Sequence, residues 1–577
     1  MIILGIIVFS VYGKSINFGL TNLDDDTLTI RNIDYISDYR NIPDLFVNGC
    51  YFDDQISTYY RPVLNLSFML ESVFFGYNTK VYHTTNILLF IISLYLIFLF
   101  LKSLNINSTI LKYLIILFAL HPVLSSVPVW IPARNDSLLT IFFISSLIFF
   151  IDYLNTGKLS YCFTYLFFYA LALFTKETAL PLIIIYPIIC KIATDRDENP
   201  QQVRDNKTFK FSTVQFFNII SFLAIFVLYI FLRHNDTVGN PDILNYIKNC
   251  GTYIRLIVTG IMIYIKQIIF PDYMPVILYN IDIPLDLRTI IVNLIAFLSL
   301  TFIYYKNFID RKIILFSVIF FFLAIFPTFM QPEDNTILFH RLVIVIPSIL
   351  LISATVIEKV LSLYPATKKY MILVWVLIIP IFSYASFNQQ DKYKDSFTFW
   401  SEAYHDAPSY HIICYGLAKE YRKNKNYAKA LELAEKTIKL NGIYAYYISY
   451  AIILYDAEKY DEAENIFLQL LQEEENPTVY KYLSKIFIIK NQKEKAIEYA
   501  KKAVELSSEK EKPKFYDNLS WIYSVIGQYE KSIEILTMLL QKDKDNISYY
   551  KNLSMLYEDI GNHQKAIEMK EKATSVY

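Results

Sequence analysis

What this 577-residue chain lacks narrows its reading at once. It has no net charge, since 54 Lys and Arg balance 54 Asp and Glu, and this argues against nucleic acid as its main partner. Five cysteines (Cys50, Cys162, Cys190, Cys250 and Cys414) include no CxxC pair and no metal-ligand spacing, so the cysteines mark no metal site. Cys50 and Cys250 both fall outside in the topology below and are able to pair, although single thiols are the simpler expectation. The apolar start, Met1 to about Ile16, has no basic n-region and no small-residue cleavage site after it. It reads as a retained first span rather than a removed leader. From about Asp391 to Tyr577 there is no apolar run long enough to cross roughly 30 Å of hydrocarbon.

The residues that are present divide the chain in two. Hydrophobic residues make up 54% of the whole, but they concentrate before Phe387. Eleven further apolar runs follow the first, from Thr84–Leu101 to Met371–Phe387. Lys102 with Lys112, Lys158, and the stretch Lys191 to Lys210 mark inner loops by the positive-inside rule. Lys306, Arg311 and Lys312, and then Lys368 and Lys369, fit the same side only if one run does not cross. Ile254–Phe270, which contains Lys266 and Gln267 and ends in Phe-Pro-Asp, is the run assigned to the interface or to re-entry. About eleven spans then remain, and the carboxyl-terminal domain lies outside. Heavy use of Ile, Tyr, Phe, Lys and Asn reflects codon bias, so single aromatics carry little weight.

The carboxyl-terminal part is periodic. Ala430, Ala463, Ala496, Ser532 and Ala566 end the related tetrapeptides Tyr427-Ala-Lys-Ala, Tyr460-Asp-Glu-Ala, Lys493-Glu-Lys-Ala, Tyr529-Glu-Lys-Ser and His563-Gln-Lys-Ala, in steps of 33, 33, 36 and 34 residues. A period near 34, with small residues where paired helices touch, is that of tetratricopeptide repeats. Ser396 through Trp400 to Pro408 forms an opening half-repeat. Residues 388–577 are therefore expected to be a helical solenoid of a half-repeat and about five repeats. Tyr444, Tyr446, Tyr447, Tyr480, Tyr482, Tyr549 and Tyr550 either line its groove or pack between helices, and packing is the expectation for at least half of them.

Residues suited to chemistry cluster at span ends on the expected outer side. The first outer loop, about Asn17 to His83, is far longer than a connector requires. It carries Asp24, Asp25 and Asp26, then Asp34, Asp53 and Asp54, then Tyr59-Tyr60-Arg61-Pro62. An aspartate beside an acceptor hydroxyl can act as a general base, and a nearby Arg or Lys can neutralise a departing phosphate. Asp-Asp-Asp-Thr is equally good helix-capping chemistry, and composition alone does not separate the two readings. A second outer segment runs from His121 through three prolines to Arg134-Asn135-Asp136. It is read as a shaped wall of a polar cavity or as a kinked helix end with His121 bonded to backbone. Lys176-Glu177 between two spans, and His340-Arg341 opening a late span, are charged where a bare turn would suffice. Snorkelling to the interface is the plain alternative for each.

In their order along the chain these segments resemble the transmembrane and tetratricopeptide-repeat (TMTC-type) O-mannosyltransferases of the GT-C glycosyltransferase superfamily. The resemblance rests on Asp25-Asp26 with Ile30 and Asn32, Tyr60-Arg61-Pro62, Tyr82-His83 with Asn86, and His121-Pro122 with Arg134-Asn135-Asp136. It continues with Lys176-Glu177, Arg341 through Pro347-Ser348, and the junction at Trp400. Three positions depart from the family pattern: Ala133 stands for Gly, Thr178 for Gln and His340 for Glu. They leave the sugar and the acceptor open.

The resemblance implies an all-α fold: residues 1–387 form a GT-C-type transmembrane bundle and 388–577 a tetratricopeptide solenoid. It implies an inverting transferase that moves a mannose-like sugar from a polyprenyl-phosphate donor to a hydroxyl acceptor outside. Asp25 or Asp26 would be the base, with Asp24 third. Arg341, Lys176 and Arg134 would contact the phosphate, with Arg61, His121, Asp136, Glu177 and His340 shaping the pocket. No cofactor is assigned; Asp25-Asp26 could bind a divalent metal, but no second ligand set stands out. The partners expected are the lipid-linked donor, the membrane, and a protein or peptide acceptor, presented as Ser or Thr by the repeat groove. Short length, AT-rich residue usage and the departures point to a bacterial cytoplasmic membrane, with the repeats on the outer side, over an endoplasmic reticulum membrane. Other readings are a lipid-linked or envelope glycan as acceptor, and a non-catalytic membrane-anchored scaffold. A transporter ranks below these, because the polar residues cluster at span ends rather than at the midplane.

Overall fold

The computed structural model describes residues 2–47, 59–194, 211–233, 250–279, 286–329 and 336–575. They are helical apart from one two-residue antiparallel pairing, Leu278 with Ile337 and Tyr279 with Thr336. Two compact units, Met1–Pro408 and Ser409–Tyr577, divide the chain.

Among the described residues of the first unit, six helices are long and apolar enough to cross a membrane: Thr79–Ser103, Ile131–Thr156, Leu287–Tyr305, Arg311–Phe329, Phe339–Leu363 and Pro365–Tyr393. A seventh candidate is the pair Ser108–Ala119 and Pro122–Val129, bent by 61°. The bend falls at His121-Pro122, where proline supplies no N–H to the ladder and His121 Nδ1 accepts the Val123 N–H at 3.2 Å. The shorter apolar helices are Ile2–Asn17, Pro62–Phe75, Leu159–Thr175 and Ile219–Arg233. The run Ala179–Ile192, expected to be one span, is instead broken: a 3-10 turn over Pro181–Ile184 precedes a helix at Ile185–Thr194.

The helix Cys250–Ile269 covers the run that the charge pattern set in the interface. Its second half is held laterally. The Tyr264 hydroxyl donates to Leu338 O at 3.0 Å, and Asn293 donates to Met262 O at 2.9 Å. The backbone at Gly260 lies so close to the Phe329 ring that an added Cβ would collide with it.

One helix was not anticipated. Pro62–Phe75, inside the expected outer loop, starts on proline and turns at Gly76 with φ +62°, a conformation glycine adopts without penalty. It buries Leu64, Phe68 and Met69 against Leu28, Ile36, Leu45, Tyr82, Ile131 and Leu138. That cluster fixes the first loop onto the bundle.

The second unit is five antiparallel helix pairs: His411–Lys423 with Tyr427–Leu440, Tyr444–Asp456 with Tyr460–Glu473, Pro477–Ile489 with Lys493–Glu505, Lys512–Ile526 with Tyr529–Lys542, and Ile547–Asp559 with His563–Ser575. Ala430, Ala463, Ala496 and Ser532 are fully buried and Ala566 nearly so, because only small side chains let paired helices approach this closely. Tyr446 and Tyr480 are buried, and the Tyr444 hydroxyl donates to Glu474 O at 3.0 Å, so these three tyrosines do packing work.

The lead-in helix, Ser396–Asp406, groups with the first unit, so the division falls at Pro408 rather than at 387. Its Asp406 accepts the Val276 N–H at 2.7 Å and the Tyr273 hydroxyl at 2.5 Å. The segment before it is tied in by Gln390, which donates to Val11 O at 2.7 Å, and by the ion pair of Lys14 with Asp391 at 2.9 Å. Cys162, Cys190 and Cys414 are buried free thiols. Cys50 and the side chain of Cys250 lie outside the described residues, as do Asp53 and Asp54.

Candidate functional site

The first loop leaves the helix Ile2–Tyr12 and reaches a tight turn at Asn22 to Asp24, both with positive φ. The turn sets the short helix Asp25–Leu28 so that Asp25 points back into the bundle. The Asp25 carboxylate is 1% exposed. One oxygen accepts the Thr21 N–H at 2.7 Å and the Thr21 hydroxyl at 2.9 Å; the other accepts the Asp26 N–H at 3.0 Å. Burial nevertheless raises its pKa to about 7, against the lowering effect of the Thr21 bonds. Asp26 faces the other way and pairs with Arg31 at 2.5 Å. Asp24, the residue before the helix, makes no side-chain capping bond, and the bonds of Asp25 run mainly back to Thr21 rather than along the helix. Asp24 therefore does not cap this helix, while Asp26 also accepts the Thr27 N–H at 3.0 Å in its first turn.

From Asp25 a contact chain crosses the unit. The Trp130 indole N–H donates to Thr21 Oγ1 at 3.1 Å. The Trp130 ring lies against the His340 ring, with centroids 5.0 Å apart. His340 Nε2 is 3.7 Å from Asp136, and Asp136 accepts from Lys176 Nζ at 2.7 Å. Arg341, next to His340, is close enough that its charge is felt at both Asp136 and Lys176. Beside this cluster Arg61 pairs with Glu177 at 2.8 Å. Asn135, with its amide oriented to satisfy both ends, accepts from Arg61 at 3.1 Å and donates to Thr175 O at 2.9 Å. Segments distant in sequence thus deliver Asp25, Arg61, Asp136, Lys176, Glu177, His340 and Arg341 to one neighbourhood.

The cations differ in what they are free to do. Lys176 and Arg61 each already face a carboxylate. Arg341 has no carboxylate partner among the described residues. Its Nη1 donates to Thr328 O at 3.3 Å, while its Nε is buried with no hydrogen-bond partner. An orphaned charged donor of this kind costs free energy unless an anion meets it, so the arrangement suits a phosphate or carboxylate.

Two expected site residues have structural work instead. Arg134 is fully buried. Its guanidinium pairs with Glu71 at 2.6 Å, donates to Asn86 Oδ1 at 2.8 Å and Tyr82 O at 3.0 Å, and covers the Phe68 ring at 4.3 Å. It clamps Pro62–Phe75 to Thr79–Ser103, and its charge is already met by Glu71. His121 sits between the rings of Phe118 and Phe382, with Nε2 at 3.1 Å from Ile268 O. It stabilises the bend at Pro122, which is the backbone-bonded alternative raised by its sequence. Sequence reasoning missed Glu71, the partner of Arg134, and the linking roles of Thr21 and Trp130. A glutamate within an apolar stretch was the available signal for the first; nothing local marks the other two. Among the described residues, no three His, Cys, Asp or Glu side chains group as metal ligands.

The tetratricopeptide repeat family matches residues 483–510 and 547–577. No curated protein matches the chain. Solved structures similar to it include YrrB, a tetratricopeptide-repeat protein with an unusual peptide-binding site, at 20% identity over 31% of this chain and 91% of that one, with a TM-score of 0.24. Others are MamA from Desulfovibrio magneticus RS-1, at 16% identity over 29% and 94% with a TM-score of 0.25, and the type IV pilus biogenesis factor PilW, at 18% identity over 29% and 77% with a TM-score of 0.27. This chain carries tetratricopeptide repeats. Such repeats bind peptides or proteins, so a protein partner fits the second unit.

Proposed function

We propose that the first unit is an integral-membrane glycosyltransferase of the GT-C type that resembles the TMTC-type O-mannosyltransferases and draws its sugar from a polyprenyl phosphate. The observation that carries this reading is the chain from the buried Asp25 carboxylate through Thr21 and Trp130 to the charged cluster of His340, Asp136, Lys176 and Arg341. A base and an anion site are what the reaction needs. The acceptor oxygen bonds to the anomeric carbon as the bond from that carbon to the phosphate oxygen breaks, inverting the centre. The acceptor proton goes to Asp25, and the negative charge left on the phosphate is met by Arg341. Lys176, fixed by Asp136, adds positive potential without moving.

A carboxylate with its pKa raised to about 7 suits general-base work near neutrality. The repeats would bring a protein hydroxyl to this site. Asp25→Asn and Asp26→Asn variants, assayed in membranes for transfer from a radiolabelled polyprenyl-phosphate sugar, separate the two aspartates. Loss with Asp25→Asn and substantial retention with Asp26→Asn is expected. Full transfer by a normally inserted Asp25→Asn variant removes the proposed base.

A second reading has one observation in its favour: the family match falls entirely on the repeats. On this reading the first unit only anchors a scaffold that assembles an envelope complex. It leaves the orphaned Arg341 donor and the buried Asp25 without a role. Rescue of a deletion strain by the Asp25→Asn, Arg341→Gln double variant would favour the scaffold.

A further inference from the structure

The lead-in helix Ser396–Asp406, the last of the first unit, bears on both halves of the proposed site. Asp395 starts it by accepting the Thr398 N–H at 2.8 Å, a cap that fixes the direction of the first turn. Phe399 in that turn is 1% exposed. Its ring stacks on Trp130, with centroids 6.5 Å apart and planes 17° from parallel, and meets Tyr393 at 5.7 Å. Trp130 has extended backbone where the short helices Ser126–Val129 and Ile131–Ala133 join, so its ring is oriented by what surrounds it. Besides Phe399, these neighbours are the His340 ring at 5.0 Å and the Thr21 hydroxyl, which accepts the indole N–H at 3.1 Å. Thr21 in turn holds the Asp25 carboxylate at 2.7 and 2.9 Å. A backbone bond from Gly19 N–H to Lys394 O at 2.9 Å ties the same loop to the start of the helix.

The far end of the helix reaches the other half. Asp406 accepts the Val276 N–H at 2.7 Å and the Tyr273 hydroxyl at 2.5 Å. Lys392 and Gln389, just before the helix, donate to Met274 O at 3.0 and 2.5 Å. The segment held in this way runs into Leu278-Tyr279, which pairs with Thr336-Ile337, and that strand leads directly to His340-Arg341. One short helix is therefore connected to the base side through a ring stack and to the anion side through a strand pairing.

We propose that Ser396–Asp406 braces the transferase site, with Phe399 a positioning residue that acts through Trp130 on the Thr21–Asp25 cradle, and Asp406 one that acts through the Val276 segment on Arg341. The inference rests on Asp25 as base and Arg341 as anion site, and it makes the helix part of the enzyme rather than a connector to the repeats. Misplacing a reacting group by about 1 Å can cost about a hundredfold in rate, so a contact that sets the Trp130 ring is felt at the chemistry. Ordinary packing would stabilise the first unit without reaching Asp25, and the two differ in which quantity moves.

The test uses the full chain in detergent micelles and two readouts. The first, amide exchange, needs no substrate: the Thr21 and Asp26 N–H groups both donate to the Asp25 carboxylate. Phe399→Ala should speed their exchange by at least about tenfold and leave Leu159–Thr175 unchanged, and Phe399→Leu should do so less. The second is sugar transfer from a polyprenyl-phosphate donor. Phe399→Ala should lower kcat by about tenfold or more with the donor KM within about twofold of normal. Asp406→Ala should instead raise the donor KM, with a smaller change in kcat. Unchanged exchange at Thr21 and Asp26 in Phe399→Ala overturns the proposal whatever the activity, and Phe399→Leu decides the matter in the same way where Phe399→Ala does not insert. A lower melting temperature with kcat and local exchange intact is ordinary packing and also overturns it. Normal kcat and KM in Asp406→Ala removes the arm that leads to Arg341. If the unaltered protein transfers no sugar, the glycosyltransferase reading fails, while faster local exchange in Phe399→Ala still supports the brace on Asp25.

Discussion

The two units solve the problem of burying polar groups in opposite ways. In the first, charges go inside and are matched by partners far off in sequence: Arg134 with Glu71, Arg61 with Glu177, Lys176 with Asp136. In the second, the interior is made of small and apolar side chains at fixed spacing, with most charges left at the surface. Cross-chain pairs are costly to form, and breaking one leaves a bare buried charge. A repeat core spreads its stability over equivalent neighbouring contacts. The lesson is that isolated buried charge marks where function is concentrated, whereas periodic packing marks where shape is made. Arg341 is the exception in the first unit. It is a half-buried cation without a carboxylate partner among the described residues, with its Nε unsatisfied, and this is the place where a ligand is expected.

The contrast can be broken by substitution, and the largest effect should fall on Asp25. Its carboxyl holds a proton up to about pH 7, so a base at this position is inactive in acid and gains activity as pH rises through 7. Transfer measured from pH 5 to 9 should follow that single rise, and Asp25→Asn should lower the plateau by roughly a hundredfold or more. A flat profile would separate the reaction from this group.

Glu71→Ala should come next, because it strands the Arg134 guanidinium. A loss of about 3–5 kcal/mol is expected, read as a lower melting temperature in detergent. A loss below about 1 kcal/mol would show that Arg134 finds water or another partner.

Overpacking the repeats should cost less and act locally. Ala496→Leu, at a fully buried helix contact, should cost about 1–3 kcal/mol. Faster amide exchange is expected in Pro477–Ile489 and Lys493–Glu505, with the first unit unaffected. The smallest effect is predicted for Lys572→Ala, which removes the exposed pair with Glu568 at 2.7 Å. Its cost should stay under about 0.5 kcal/mol and should vanish in high salt. A larger loss would mean that surface charge matters more to the repeats than their packing.

The sequence reading and the structure meet unevenly, for physical reasons. The repeats were legible because each small residue recurs with the helix pair it serves, and the five pairs stand where the spacing put them. The apolar helices were legible from run length, apart from the Ala179–Ile192 run, where Pro181 breaks the ladder, and the Ile110–Ile131 run, which bends by 61° at His121-Pro122. The helix Pro62–Phe75 was hidden because its stretch is shorter than a span and sits in a segment read as loop. The aspartate triplet stood out in composition, but sequence could not rank its members. That ranking came from a turn with two positive-φ residues, which sends Asp25 inward and leaves Asp26 to Arg31.

By itself, then, the sequence determined an all-helical chain with an apolar first part and a tetratricopeptide second part, because periodicity and run length are local properties. It also pointed to the charged segments that matter. Only the tertiary structure decided which charges are spent and which are available. Arg134 closes on a glutamate 63 residues away, Lys176 on an aspartate 40 residues away, and Arg341 retains an unsatisfied donor. Pairings of that kind depend on how helices distant in sequence pack together, and no local pattern encodes them.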